Sequence, residues 1–300
     1  MSNLGLYLAS VLIWGSTWLA ITFQYGAVPP EVSVAYRFGL AALLLLVWCR
    51  MRGIGLRFTP RQHGWIALQG ATMFGANYVL VYLAEQRIPS GLMAVIFSLL
   101  AVLNLLGARL LFRAPLRAAA LGGTALGIAG VALVCLPRSS FGTGPGFRAG
   151  LIFAVAATVV SSFSNLLSQL NQRRGLPVVP TNTLGMLYGA GFVALYCWEA
   201  GRPFVLDLSL RYLGSLAFLA LFGSVLAFGA YLTLVGRIGA GRAGYTMVAI
   251  PVVALALSTA FEGLRWEWTL LLGAALCLGG NVLVLPRPPR PAVAPAGEPA

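Results

Sequence analysis

A chain of 300 residues that is 59% hydrophobic and only 9% charged, with a mean hydropathy of +0.87, is not a water-soluble globular domain; such domains carry about a quarter charged residues. The apolar character runs along the whole length, so the chain expects lipid throughout, and at about 20 apolar residues per span it holds at most about ten or eleven spans. A net charge of +13 does not point to nucleic acid, because every basic residue is Arg and these stand between apolar segments, where they report topology. Cys49, Cys135, Cys197 and Cys277 lie inside apolar segments without CxxC or metal-ligand spacing, which argues against a disulfide framework or a metal site, and nothing calls for a cofactor.

In chain order, apolar runs bounded by Arg, Pro and Gly predict ten helices, at about 4–24, 32–49, 64–84, 91–112, 118–136, 149–171, 181–198, 212–235, 243–261 and 268–285. The first run lacks a basic leader and exceeds the length of a signal core, so it stays as a membrane helix. On it, Trp14 and Trp18 share a face with Ser10 and Thr17, which suits either a substrate with a ring and a polar end or core packing. Arg37 lies inside the second helix, where it either snorkels or pairs with Glu31, or binds substrate. The third helix offers Asn77, Tyr78 and Tyr82, the fourth Ser98, and the eighth Ser224, Phe228 and Tyr231. In the fifth, Gly123 and Gly127 form a GxxxG pair, with Ala275 and Gly279 comparable in the tenth, and both read as close-packing positions.

The sixth helix carries Thr158, Ser161, Ser162, Asn165, Ser168, Gln169 and Gln172 at helical spacing. A polar stripe in lipid faces protein or water, so it lines a wet cavity or it bonds helices together. Pro251 interrupts the ninth helix and removes the hydrogen bond to the Met247 carbonyl, which makes a kink or a gating bend. Glu262 closes that helix in a structural or gating role, and His63 is expected to be solvated between Arg57 and Arg61. No acid falls inside a predicted span.

Ten spans put both termini on one side. Thirteen Arg then share that side with one acid, against six Arg and six acids opposite, so the positive-inside rule places both termini in the cytoplasm of a multi-pass inner-membrane protein. Trp48, Trp65, Trp198, Trp266 and Trp268 fall at helix ends, as belt residues do. At an offset of 150 the chain repeats itself: Arg87, Ile88 and Gly91 match Arg237, Ile238 and Gly241, and Gly123 and Gly130 match Gly273 and Gly280. Residues 1–137 therefore read as one five-helix repeat, 138–148 as a periplasmic linker, 149–285 as a second repeat and 286–300, rich in Pro, as a disordered cytoplasmic tail. With five helices in each, the second repeat inserts upside down, a transporter signature that puts the substrate path between the halves.

Trp14-Gly15, Arg37-Phe38, Pro251, Phe261-Glu262 and the Gly-rich last helix resemble the EamA-type, ten-helix members of the drug/metabolite transporter superfamily, and most resemble its bacterial aromatic amino acid exporters of the YddG type. The first half departs from that pattern, with Ala101 and Phe112-Arg113 where the family has Pro and Glu. The resemblance implies an all-α membrane exporter of small hydrophobic metabolites. Trp14, Trp18, Tyr78, Tyr82 and Tyr231 are expected to meet the apolar body of the substrate, and Thr17, Asn77, Ser98, Ser161 and Asn165 its polar ends. With no charge to neutralise a zwitterion, affinity should be about millimolar, and with no buried acid, export should be facilitated rather than proton-coupled. A multidrug or other metabolite exporter is the alternative, and a membrane-embedded enzyme is disfavoured for want of a catalytic acid or base in the spans. The expected partners are the lipid bilayer and a small substrate, without nucleic acid or an obligate protein partner.

Overall fold

The computed structural model describes residues 1–113, 118–136, 144–238 and 245–284, and among them every regular element is helical. Helices α1 (Asn3–Thr22) and α2 (Pro30–Met51) are followed by α3, which runs as Pro60–Gly70, a π-helical stretch Ala71–Ala76, and Asn77–Glu85. Helix α4 comes in two pieces, Ser90–Phe97 and Leu100–Phe112, and α5 is Ala118–Val134. Next come α6 (Pro145–Arg173) and α7 (Val178–Glu199), then α8 as Leu210–Phe218, a second π-helical stretch Leu219–Leu226, and Ala227–Ile238. Last are α9 (Tyr245–Phe261) and α10 (Trp268–Val284). Seven of these are long and apolar enough to cross a membrane, α1 to α4 and α6 to α8, while α5, α9 and α10 are shorter apolar helices. Helix α6 opens at Pro145, inside the stretch expected to be linker, and the expected tail at 286–300 lies outside the described residues.

Local chemistry sets the ends. Thr59 and Gln62 close a reciprocal capping box at the start of α3, with Pro60 at the first helical position, where no amide hydrogen is needed. Helices α2 and α7 stop in the same way. Gly53 and Gly201 take the left-handed conformation (φ 63° in both), and the next amide bonds back to Cys49 and Cys197 respectively, each at 2.8 Å.

Those two caps stand 148 residues apart, and the same spacing separates Phe74-Gly75 from Phe222-Gly223 inside the two π stretches. The first π stretch begins 148 residues before the second and ends 150 before it. The longer π stretch of α8 thus absorbs the two residues that convert one spacing into the other, which is how a π-bulge accommodates an insertion.

Close helix contacts rest on glycine. At Gly130 a Cβ would stand 2.6 Å from the Gly273 carbonyl oxygen and 2.7 Å from the Cys277 sulfur, and at Gly280 it would stand 2.5 Å from the Gly123 carbonyl oxygen. Backbones approach this closely only where side chains are absent. The pairs 123 with 280 and 130 with 273 make α5 and α10 antiparallel. The α10 contact glycines are Gly273 and Gly280; Gly279, expected to serve, faces open space. Helices α2 and α7 are antiparallel too, held at one end by Cys49 beside Thr183 (3.6 Å) and at the other by Arg202 beside Glu31 (3.6 Å). Helix α3 meets α7 where Gly70 lies against Gly185. Between these contacts, α1 packs on α8 and α9, and α6 packs on α3 and α4.

Candidate functional site

The second π stretch shapes the wall that α8 turns toward α1. A π turn shifts the helical hydrogen-bond register; Ser224 Oγ donates to the carbonyl of Leu219, five residues back (3.0 Å), while the Gly223 carbonyl accepts from Trp14 Nε1 (3.1 Å). Position 223 has no room for a side chain, since a Cβ there would stand 2.7 Å from the Thr17 methyl. The indole of Trp14 packs edge-on to Phe228 (5.1 Å between centroids) and beside Tyr231 (5.3 Å).

Across from this wall lies Arg37, 1% exposed. Its guanidinium sits over the rings of Tyr78 (4.7 Å) and Phe38 (5.2 Å), an arrangement favoured for a cation on an aromatic face, and its Nε donates to Ser224 Oγ in a long bond of 3.4 Å. Its Nη1 is buried without a hydrogen-bond partner. The expected pairing with Glu31 is not made, because Glu31 bonds Arg202 from the neighbouring helix end. Snorkelling is not available either, because the side chain is buried.

One turn further along α3, Tyr82 is fully buried and donates its hydroxyl to Gln24 Oε1 (2.7 Å), while Tyr25 donates to the Tyr82 carbonyl (3.0 Å). Burial, with Glu85 the next contributor, pushes the Tyr25 phenol well above its usual range, so it remains a donor. Glu85 ends α3 at 6% exposure, and neither of its carboxyl oxygens has a partner. Its charged neighbours are Glu262 and Arg37. An acid expected to flank a helix is therefore buried, because Tyr25 and α6 pack against the end of α3. Glu262 accepts hydrogen bonds from the Ser90 amide (3.2 and 3.3 Å) and from Ser90 Oγ, tying the end of α9 to the start of α4.

The remaining expected residues divide. Asn77 follows the first π stretch, 4% exposed, with Nδ2 on the Met73 carbonyl (3.5 Å) and Oδ1 unpartnered. Thr17 Oγ1 and Ser98 Oγ donate to carbonyls of their own helices, of Trp14 and Val95 (2.7 Å each), and Trp18 packs against Phe97 (5.2 Å). Ser161 is buried and Asn165 half-buried on α6, which packs on α3 and α4. The polar stripe on α6 is partly helix glue. Asn171 donates to Gln69 Oε1 (2.9 Å), which in turn donates to Asn182 (3.3 Å), and Thr158 and Ser164 bond their own helix. Pro251 is buried within α9. His63 is not simply solvated, since Tyr188 bonds its Nδ1 (2.7 Å) and Phe58 packs on the ring. An open groove lined by Leu133, Trp268, Leu272 and Ala275 offers only apolar surface.

Two segments of the chain, residues 1–136 and 148–285, each match the EamA-like transporter family. The chain belongs to that family. It is 29% identical over 301 residues to an uncharacterized inner membrane transporter, YedA, of Escherichia coli strain K12, covering 97% of this chain and 94% of that protein. It is 23% identical to Protein PagO of Salmonella typhimurium (86% and 84% covered) and 26% identical to Protein PecM of Dickeya dadantii (72% and 69%). A crystal structure of a protein 22% identical superposes with a TM-score of 0.68 over 94% of this chain and 96% of that one, a likeness of fold.

Within this EamA-like protein, sequence reasoning found the aromatic residues of the cluster and underrated its charges. Arg37 was visible as an Arg well inside a predicted span. Gln24, Tyr25 and Glu85 carried no such signal, since all three sit beside helix ends and are buried only by tertiary packing.

Proposed function

We propose that this EamA-like membrane transporter exports small hydrophobic metabolites, aromatic amino acids in the first place, across the inner membrane by alternating access between two inverted five-helix halves. The observation that carries the reading is the cluster between α1, α2, α3 and α8. There Trp14 packs on Phe228 and Tyr231, the Phe38 and Tyr78 rings lie at the Arg37 guanidinium, Tyr82 bonds Gln24, and Gln24, Arg37, Asn77 and Glu85 keep buried polar atoms without partners. Orphaned polar atoms are rare in a finished core and ordinary where a ligand or water enters in another state. Two family matches in one chain, the antiparallel pairs α2 with α7 and α5 with α10, and the π stretches in α3 and α8 support the inverted repeat and ten crossings. Both termini are then cytoplasmic, on the Arg-rich side. Residues 90–96 of α4 are buried beside Glu262, whereas in Leu100–Phe112 only Val102 is, which fits a state sealed at the outer face.

Transport is facilitated in this reading. A substrate without net charge then needs no accompanying proton. Purified protein in proteoliposomes should catalyse counterflow of labelled phenylalanine, with rates unchanged by an imposed pH gradient. No flux of any aromatic amino acid refutes the substrate, and several-fold stimulation by the gradient refutes the facilitated mechanism.

A further inference from the structure

We infer that Arg37 and Glu85 form a two-ended clamp for a zwitterion, Arg37 taking the substrate carboxylate and Glu85 its ammonium; the inference rests on the transport reading above and deepens it. Each group is more than nine-tenths buried, and each keeps hydrogen-bonding atoms unused: Nη1 of Arg37, and both carboxyl oxygens of Glu85. Glu262 and Arg37 are the charged neighbours of Glu85, and its carboxyl oxygens share a hydrogen bond with neither. Buried charges left in this condition cost several kcal/mol unless a partner arrives.

The spacing suits one kind of partner. Tyr78, Tyr82 and Glu85 follow one face of α3 at intervals of four and three, so Glu85 stands about 10 Å of helix rise from the residue whose ring carries the guanidinium. In an α-amino acid the ammonium and carboxylate lie about 3 Å apart, and a charge-assisted hydrogen bond of about 2.8 Å at each end lets the pair bridge charges about 9 Å apart. A simple cation would satisfy Glu85 and strand Arg37; a simple anion would do the reverse. A zwitterion satisfies both, and the rings of Tyr78 and Phe38 already cover the guanidinium so that a side chain can stack beside it.

The test is ligand-dependent heat stabilisation of the full-length protein in detergent, which needs no transport. The probes are phenylalanine, leucine, phenethylamine (no carboxylate) and 3-phenylpropionate (no ammonium), applied to wild type, Arg37→Gln, Arg37→Lys and Glu85→Gln. Wild type should require at least about thirtyfold more of either single-charge compound than of phenylalanine, the scale expected when a buried charge is left unpaired. Arg37→Gln should erase the preference over phenethylamine only, Glu85→Gln the preference over 3-phenylpropionate only, and Arg37→Lys should keep part of the first. Variants that weaken every ligand by the same factor, or a wild type that prefers a single-charge compound, overturn the clamp. If Arg37→Gln fails to fold, the near-isosteric Glu85→Gln still decides. Stabilisation by leucine without phenylalanine would sink the aromatic assignment and leave the clamp. Phenylalanine counterflow with unchanged ligand ratios in the variants would sink the clamp and leave the transporter. No stabilisation of wild type by any probe would overturn both.

Discussion

Where α5 meets α10, residues face the counterparts of their own repeat: Gly123 meets Gly280 and Gly130 meets Gly273, so that adding 150 to one pair returns the other. Around Arg37 the correspondence fails. The position 148 residues on is Gly185, pressed against Phe74 and Gly70, and those equivalent to Tyr82 and Glu85 are Leu232 and Val235. Where both halves agree, the contact is small residues and backbone, which is scaffold. Where they differ, one half has kept charges and phenols at a cost in stability, and scaffold has no use for such a cost.

The sharpest way to break this contrast is to load the symmetric contact. Gly280→Ala places a methyl 2.5 Å from the Gly123 carbonyl oxygen and 2.8 Å from the Gly127 nitrogen, both backbone atoms that give way only if the helices part. The expected cost is about 3 kcal/mol or more, read as loss of the monodisperse peak and a fall in melting temperature. A melting temperature like that of wild type would remove the scaffold role. The aromatic wall should respond the other way round. Trp14→Phe deletes the bond to the Gly223 carbonyl while keeping most of the ring, costing about 1 kcal/mol of stability. Transport should nevertheless fall several-fold, because that bond fixes the indole against Phe228 and Tyr231. A loss of stability without loss of flux would reassign Trp14 to the core.

How much of this was legible beforehand follows from the same contrast. Apolar runs and Arg, Pro and Gly punctuation are local signals, and the helices stand within a few residues of where those signals put them. The glycine contact was half legible. The repeat offset named Gly273 and Gly280, but GxxxG spacing favoured Gly279, and helix rotation settled it. The site was less legible, because an acid at a helix end such as Glu85 looks like any loop acid until other parts of the fold pack against it. The 148-residue spacing was hidden by the two residues added in the π stretch of α8, a change of helical register that composition does not announce.

Smaller effects separate glue from passage along α6. Gln69→Leu removes the middle of the Asn171, Gln69 and Asn182 chain and should lower stability by about 1 kcal/mol, a typical value for a polar contact between membrane helices. Substrate preference should not move. Asn165→Leu should do the opposite, impairing flux and sparing the melting temperature, because the residue is half-buried. Unchanged flux would take Asn165 out of the site and leave the α6 stripe as glue alone.

The smallest effect is the most discriminating control. Gly279 is adjacent to Gly280 yet has nothing within 4 Å of where its Cβ would lie. Gly279→Ala therefore adds a methyl facing outward and removes the entropic penalty of glycine in a helix, a gain of about 0.5 to 1 kcal/mol at most. The expected outcome is a melting temperature equal to or slightly above wild type with transport unaltered. If Gly279→Ala were as damaging as Gly280→Ala, α10 would be rotated by about 100° from the orientation seen here, and the self-matching contact that separates scaffold from site would not exist.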